Sequence, residues 1–348
     1  MATYDWLFNA LGLREWCDAS GGEKILDTQS LLRQMMAKQS GDASAEKLSL
    51  LETPFPSMNA LNDACAAMPR MGDFARSLHE GFIDIRPALR FVLDPLTQPL
   101  SWFLTGALEF FTAIPWFIMV PLMLIGSLII SRSWSIVIFF AVSLIILLYL
   151  DHYSWTIETL SIITVCTVIC VLFGLPIGIL MSKSDRLRDI MTPLLDMLQT
   201  LPTFVYLIPL IFLFDITEPK LYGVAIILYA IVPVVRLTNL GIRLVDRDVK
   251  EAADAFGMSN MQKLFGVEVP LALPNIMAGV NQTIMMSLAM VVIASLVSAP
   301  GLGVRVLQGI NNNELGVGFL AGAGIVVIAI VLDRVSKAAL SRINTSQS

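Results

Sequence analysis

The chain has 348 residues, of which 56% are hydrophobic and only 15% charged, with a formal net charge of -5 at pH 7. Soluble globular chains carry about 25% charged residues, so this composition belongs to a protein built for lipid. The negative balance excludes a nucleic-acid-binding surface.

Residues 1–95 hold scattered charges and read as a polar, partly helical tail. The first 30 residues lack a basic start followed by an apolar run, so no signal peptide is expected. Met71, Phe74, Leu78, Phe82 and Ile85 recur at three- and four-residue steps, which predicts an amphipathic helix that Pro95 and Pro99 should break. The following stretch, LSWFLTGALEFF over 100–111, carries two aromatic pairs and Glu109, and is expected to lie along the membrane surface.

A helical span needs about 20 mostly apolar residues. Runs at 114–130, 134–150, 156–181, 203–214, 221–235, 281–298 and 317–332 predict about seven spans, the fourth extended backwards across Pro202. The fold class is therefore an all-α integral membrane protein. Lys183, Arg186 and Arg188 crowd one short loop, Arg236, Arg243, Arg247, Lys250 and Lys263 the long loop 236–270, and Arg334, Lys337 and Arg342 the C-terminal end. The intervening turns hold only Lys220. The basic loops and the C-terminus are thus expected in the cytoplasm, and an odd number of spans puts the tail outside. Domain boundaries follow: tail 1–95, interfacial helix and first spans 96–153, core 154–337 with its cytoplasmic loop 236–279, and cytoplasmic end 338–348.

The four cysteines, Cys17, Cys65, Cys166 and Cys170, and the two histidines, His79 and His152, show no metal-site spacing. Cys166 and Cys170 read as small residues facing lipid or a neighbouring helix. Gly174/Gly178 and Gly318/Gly322 have the spacing of close helix packing. Glu158, Asp196, Gln199, Asn281 and Gln282 lie in or beside spans, where polar groups are costly and face a bundle interior or water. Asp196 and Gln199, with the aromatic Phe204, Tyr206 and Tyr229, read either as lining a translocation path or as packing and interhelical hydrogen bonding. For Asn281 and Gln282 the structural reading is favoured.

The long cytoplasmic loop is the most informative stretch. Asp248 and Glu251 have capping-box spacing, Ala252, Ala253 and Ala255 favour helix, and Gly257 stands where a helix would end in a left-handed residue. Ser259 and Gln262 predict a second capping box, opening a helix to about Phe265 that Pro270 and Pro274 should stop. Two capped helices around a glycine form a compact knob, either a solvated hairpin or a piece shaped for a groove on another protein.

Glu251-Ala252-Ala253, then Gly257, then Val267-Glu268-Val269-Pro270 resembles the EAA loop of ABC importer permeases. Pro193-Leu194-Leu195-Asp196, Gln199-Thr200, Pro202, Phe204 to Leu207, Pro209, Ile276 to Thr283 and Met290 to Ser295 are similar to the glycine betaine/proline betaine (quaternary amine) permeases of that group. Pro300 departs from the pattern at an outer loop. The resemblance implies a MetI-like permease core in a bacterial inner membrane, as a homodimer, importing small methylated amines such as glycine betaine or proline betaine. Choline, carnitine and trimethylamine N-oxide are the alternatives. It implies that Glu251, Ala252, Ala253, Gly257, Ser259, Gln262 and Pro270 couple to a cytoplasmic P-loop ATPase, which holds the ATP and Mg, and that an extracytoplasmic substrate-binding protein delivers the cargo. The chain itself has no GxxxxGK[ST] and no nucleophile constellation, so it is expected to be non-catalytic and without cofactor. The rivals are a secondary transporter, which would work without ATP, and a membrane-embedded enzyme with clustered His or Asp/Glu ligands.

Overall fold

The structure, a computed structural model, describes the backbone of residues 71–345 and the side chains of 74–338. Cys17, Cys65 and most of the expected tail lie outside the described residues. The described chain is helical without strands, and residues 88–348 form one compact unit.

Helix α1 (Met71–Ala113) is continuous, which corrects the expected break at Pro95 and Pro99. A proline removes one i→i−4 bond, and the stretch stays helical because its inner face is packed. Leu100 and Leu104 are buried and close on Gly223. Thr97 adds a 2.8 Å bond to the Leu93 carbonyl. At residues 114–115 the chain turns by 109° into α2 (Trp116–Ser131). Helix α3 (Trp134–Tyr149) follows, 16 residues long like α2.

Among the described residues four helices are long and apolar enough to span, or five if the bent pair α1 and α2 is one span: α4 (Tyr153–Lys183), α7 (Pro219–Arg243), α10 (Val269–Ala294, counted with the turns that flank it) and α12 (Leu315–Thr345). The other expected runs fall in shorter helices. Helices α2 and α3 are short, and 203–214 is no span of its own. There α5 (Asp185–Thr200) ends, residues 201–206 form non-helical turns, and α6 (Leu207–Leu213) resumes. Pro202 explains the interruption, since it disfavours helix at Leu201, which is extended (φ −63°, ψ 132°).

Helices α4, α7 and α10 make the centre, and α7 is buried along most of its length. Gly174 admits Val234, and a Cβ on Gly178 would lie 2.6 Å from the Thr238 Cβ and 2.7 Å from the Val235 carbonyl. The expected close packing of this pair is what the structure has. Gly318 meets Gly309 of α11 (Leu302–Asn311), whereas Gly322 has open space beside it. Cys166 and Cys170 are fully buried, facing helices and not lipid. Asn281 donates to Asp333 of α12 at 3.2 Å, a structural tie, while Gln282 is exposed.

Pro300 sits in a tight turn. Ser298 and Gly301 both have positive φ, and the Leu302 N–H is taken by the Thr159 hydroxyl at 2.9 Å.

Candidate coupling knob and membrane path

The ends of α4 and α7 define the basic face of the bundle. Arg243 donates to Asp185 at 2.8 Å, to the Met181 carbonyl at 2.9 Å and to Asn239 at 3.0 Å. The guanidinium holds the Asp185 carboxyl below the usual carboxylate range. This is the face whose positive charge carries the expectation of a cytoplasmic side.

From this face the chain projects α8 (Arg247–Ala255), α9 (Asn260–Lys263) and a π turn (Leu264–Glu268). The expected start of α8 needs correction. Asp246, not Asp248, is the N-cap, accepting from the Asp248 N–H at 3.0 Å. Glu251 instead pairs with Arg247 one turn back at 2.8 Å, both side chains exposed. The helix ends as expected. Gly257 has φ +72°, its N–H reaches the Asp254 carbonyl (3.0 Å), and the Met258 N–H reaches Ala253 (3.2 Å). This pair of bonds is a Schellman ending.

The second capping box is present, with Ser259 N–H to Gln262 Oε1 at 2.8 Å and Gln262 N–H to Ser259 Oγ at 3.4 Å. The helix it opens does not stop at Pro270 or Pro274. The π turn bonds the Val269 N–H to the Leu264 carbonyl, five residues back, and Pro270 falls in the first turn of α10, where its missing N–H leaves no gap. The knob therefore continues directly into a spanning helix. Pro270 itself is half-buried.

Several ties stiffen this knob. Lys263 bonds Asp254 at 2.6 Å, and Lys250 caps the Ile242 carbonyl at 3.1 Å. Ile242, Val245, Leu264, Ala272 and Ile276 form a small apolar core at its base. Glu268, almost fully buried, is ion-paired to Lys183 at the end of α4. Ala253 is buried, whereas Glu251, Ala252, Ser259 and Gln262 are exposed. Phe256 (87% exposed), Met261 (64%) and Phe265 (58%) project from the same knob. The charge in the Val-Glu-Val-Pro run and the basic loop were visible signals for Glu268 and Lys183, yet nothing local in the sequence paired them.

The residues expected along a path are only partly brought together. Asp196 and Gln199 lie one turn apart on α5. Asp196 is ion-paired to Arg236, with both side chains part-exposed (54% and 38%). Arg236 was expected in the cytoplasmic loop, but α7 continues seven residues past it, to Arg243. Gln199 touches the Met286 sulfur at 3.9 Å, and the Tyr206 hydroxyl touches that of Met290 at 4.0 Å. Tyr206 is buried in the main core, Tyr229 packs against that core, and Phe204 is exposed.

On the outer side, Arg90 of α1 donates to the Leu213 carbonyl at 2.6 Å and pairs with Asp215 at 3.1 Å. Lys220 is buried, bonded through its ammonium to Asp94 (2.7 Å) and through its backbone to Ser101 (3.1 Å), with Phe214 beneath it. Helix α1 thus clasps the turn between α6 and α7.

A family model described as "Binding-protein-dependent transport system inner membrane component" matches residues 171–345, about half the chain, which include the whole knob. The chain belongs to this family. A "Glycine betaine/carnitine transport permease protein" of Listeria monocytogenes serotype 1/2a, GbuB, is 42% identical over 263 residues, 74% of this chain and 89% of that protein. The "Glycine betaine/proline betaine transport system permease protein" of Escherichia coli K12, ProW, is 46% identical over 57% of this chain, which spans only 55% of ProW. The "Glycine betaine transport system permease protein" OpuAB of Bacillus subtilis 168 is 40% identical over 63% of this chain and 79% of its own length. Among solved structures, the MetNI methionine ABC transporter in an inward-facing form aligns with a TM-score of 0.50 at 18% identity, over 53% of this chain and 93% of that one. That likeness concerns the fold alone. The chain is thus a transport permease subunit and an inner membrane component of the binding-protein-dependent class, with the all-α, MetI-like core expected from its sequence.

Proposed function

We propose that the chain is the membrane half of an ATP-driven importer for small methylated amines, with glycine betaine or proline betaine as cargo. The observation that carries the coupling role is the knob of α8 and α9. It has a fixed Schellman ending, a capping box and exposed Phe256, Met261 and Phe265, and it runs without a break into α10. Glu251, Ala252, Gly257, Ser259 and Gln262 would shape the surface that enters a groove of a cytoplasmic P-loop ATPase, with Ala253 and Pro270 setting its base. ATP and Mg belong to that partner. One knob per chain fits a homodimer on paired ATPases.

Closure of the ATPases on ATP draws two knobs together, and α10 transmits the motion because no flexible joint separates it from the knob. The bundle then opens outward to a binding protein, and hydrolysis resets it. Coupling of this kind is a difference in ATPase affinity between two membrane conformations. Asp196, Gln199, Phe204, Tyr206 and Tyr229 are the residues assigned to the path.

The cargo assignment draws support from the names of three relatives, each of which prints glycine betaine. Uptake of labelled glycine betaine in cells lacking other importers tests it, with proline betaine, carnitine, choline, an amino acid and a sugar as competitors. Competition by methylated amines alone is the expected result. Competition by the amino acid or the sugar alone would overturn the assignment.

A further inference from the structure

The Asp196–Arg236 pair is an unusual object for the inside of a membrane. At about 1.5 Å rise per residue, Arg236 stands roughly 10 Å along α7 from Arg243, which pairs with Asp185 at the end of that helix. Arg236 therefore lies within a helix long and apolar enough to span, and not at its end. A charge pair there is expected to be sealed by protein, yet both side chains are part-exposed. The Arg236 Nε is itself buried without a hydrogen-bond partner, so the guanidinium has donor capacity unspent.

The backbone beside the pair points the same way. Helix α5 ends one turn after Asp196, and residues 201–206 are non-helical. Non-helical backbone at membrane depth is tolerated only against protein or beside water. Phe204, in that turn, is 59% exposed. Gln199, between the pair and the turn, is held by nothing stronger than a sulfur contact. A charged pair, an amide, an aromatic residue and a broken helix therefore follow one another within nine residues of the chain and its α7 partner.

We propose that Asp196 and Arg236 form a charge-neutral relay site for a zwitterion, opening to place Arg236 on the carboxylate of the cargo and Asp196 beside its quaternary ammonium. The proposal rests on the methylated-amine reading above. Its physical basis is charge balance. A guanidinium binds a carboxylate through two parallel hydrogen bonds, and a quaternary ammonium, which cannot donate, needs only a nearby negative charge or an aromatic face. When a zwitterion enters, one ion pair becomes two and the layer stays neutral. A bare cation would occupy Asp196 and leave Arg236 uncompensated in a low-dielectric layer, at substantial cost. The membrane path thereby selects zwitterions independently of the binding protein.

The test uses two double variants, Asp196→Asn/Arg236→Gln and Asp196→Leu/Arg236→Met, reconstituted with the ATPase and the binding protein. The amide pair can still hydrogen-bond across α5 and α7, and the apolar pair fills the same space, so a merely structural contact survives in one or the other. The expected result is an assembled complex whose maximal rate of glycine betaine uptake falls about tenfold or more, the scale of a lost charge-assisted hydrogen bond. The half-saturating concentration, set by the binding protein, stays unchanged. Uptake at the wild-type rate by either variant overturns the proposal. So does failure of the amide pair to assemble, because the pair would then be a structural tie. A wild-type complex that takes up no methylated amine defeats the cargo reading instead, and the two failures are distinct.

Discussion

Glu268 at the base of the α8–α9 knob is ion-paired to Lys183 at the end of α4, joining two elements 85 residues apart in sequence. The carboxylate is only 4% exposed while the lysine is 41% exposed. The contact ties the knob to a second long helix in addition to α10.

Removing the lysine strands a buried carboxylate. Lys183→Ala is expected to destabilise the detergent-purified protein by about 3 kcal/mol, the low end for a broken buried pair because Lys183 is partly hydrated. Lys183→Met combined with Glu268→Leu should recover most of that. Thermal melts of Lys183→Met, Glu268→Leu and their double supply the comparison, and independent, additive losses would mean that the pair carries no coupling energy.

Gly257 has φ +72° with open space where a Cβ would go, so the cost of a side chain there is conformational and not steric. Gly257→Val should cost roughly 1–2 kcal/mol of local knob stability and lose capture of the ATPase, whereas Gly257→Asn should keep it. Co-purification of the ATPase with each variant is the measurement. Glu251→Lys acts differently. It places like charges on Arg247 and residue 251, a penalty of only a few tenths of a kcal/mol on the helix. A large loss of ATPase binding in that variant would therefore report the partner's surface and not the fold of the knob.

The pH dependence of the cytoplasmic face follows from Arg243. By holding the Asp185 carboxyl below its ordinary range, the guanidinium contributes stability that is present at neutral pH and above the unfolded value near 4. It is lost as pH falls through the lowered folded value. Melting temperature against pH should show an acid limb below about pH 4 that Asp185→Asn flattens. A difference between the two proteins that appears only above pH 6 would contradict this assignment.

Most of the knob was legible because its signals are local. The Ser259/Gln262 box and the left-handed Gly257 each rest on a few adjacent residues, and both form as read. The misreadings occur where tertiary packing overrides a local rule. Pro95 and Pro99 should end a helix, but Leu100 and Leu104 are buried against Gly223 and the helix continues. Pro270 and Pro274 should end another, but the π turn absorbs the first. Arg236 looked cytoplasmic by charge alone, since only its partner Asp196, 40 residues away, makes a place for it in the helix layer. Lys220, read as the lone basic residue of an outer turn, is buried by contacts from α1 that no local pattern announces.

Sidedness can be checked directly. In a chain stripped of its native cysteines, a cysteine at Ser184 or Ser259 should react only from the cytoplasm, and one at Thr217 only from outside. Labelling of position 217 from the cytoplasm would invert the whole arrangement, α1 included.

The most direct test of the account is uptake in proteoliposomes that contain the chain, its ATPase and, outside, the binding protein. Glycine betaine should accumulate only when ATP is enclosed with the ATPase, and the chain by itself should hydrolyse none. Accumulation driven by an ion gradient without ATP, or hydrolysis by the isolated chain, would contradict it.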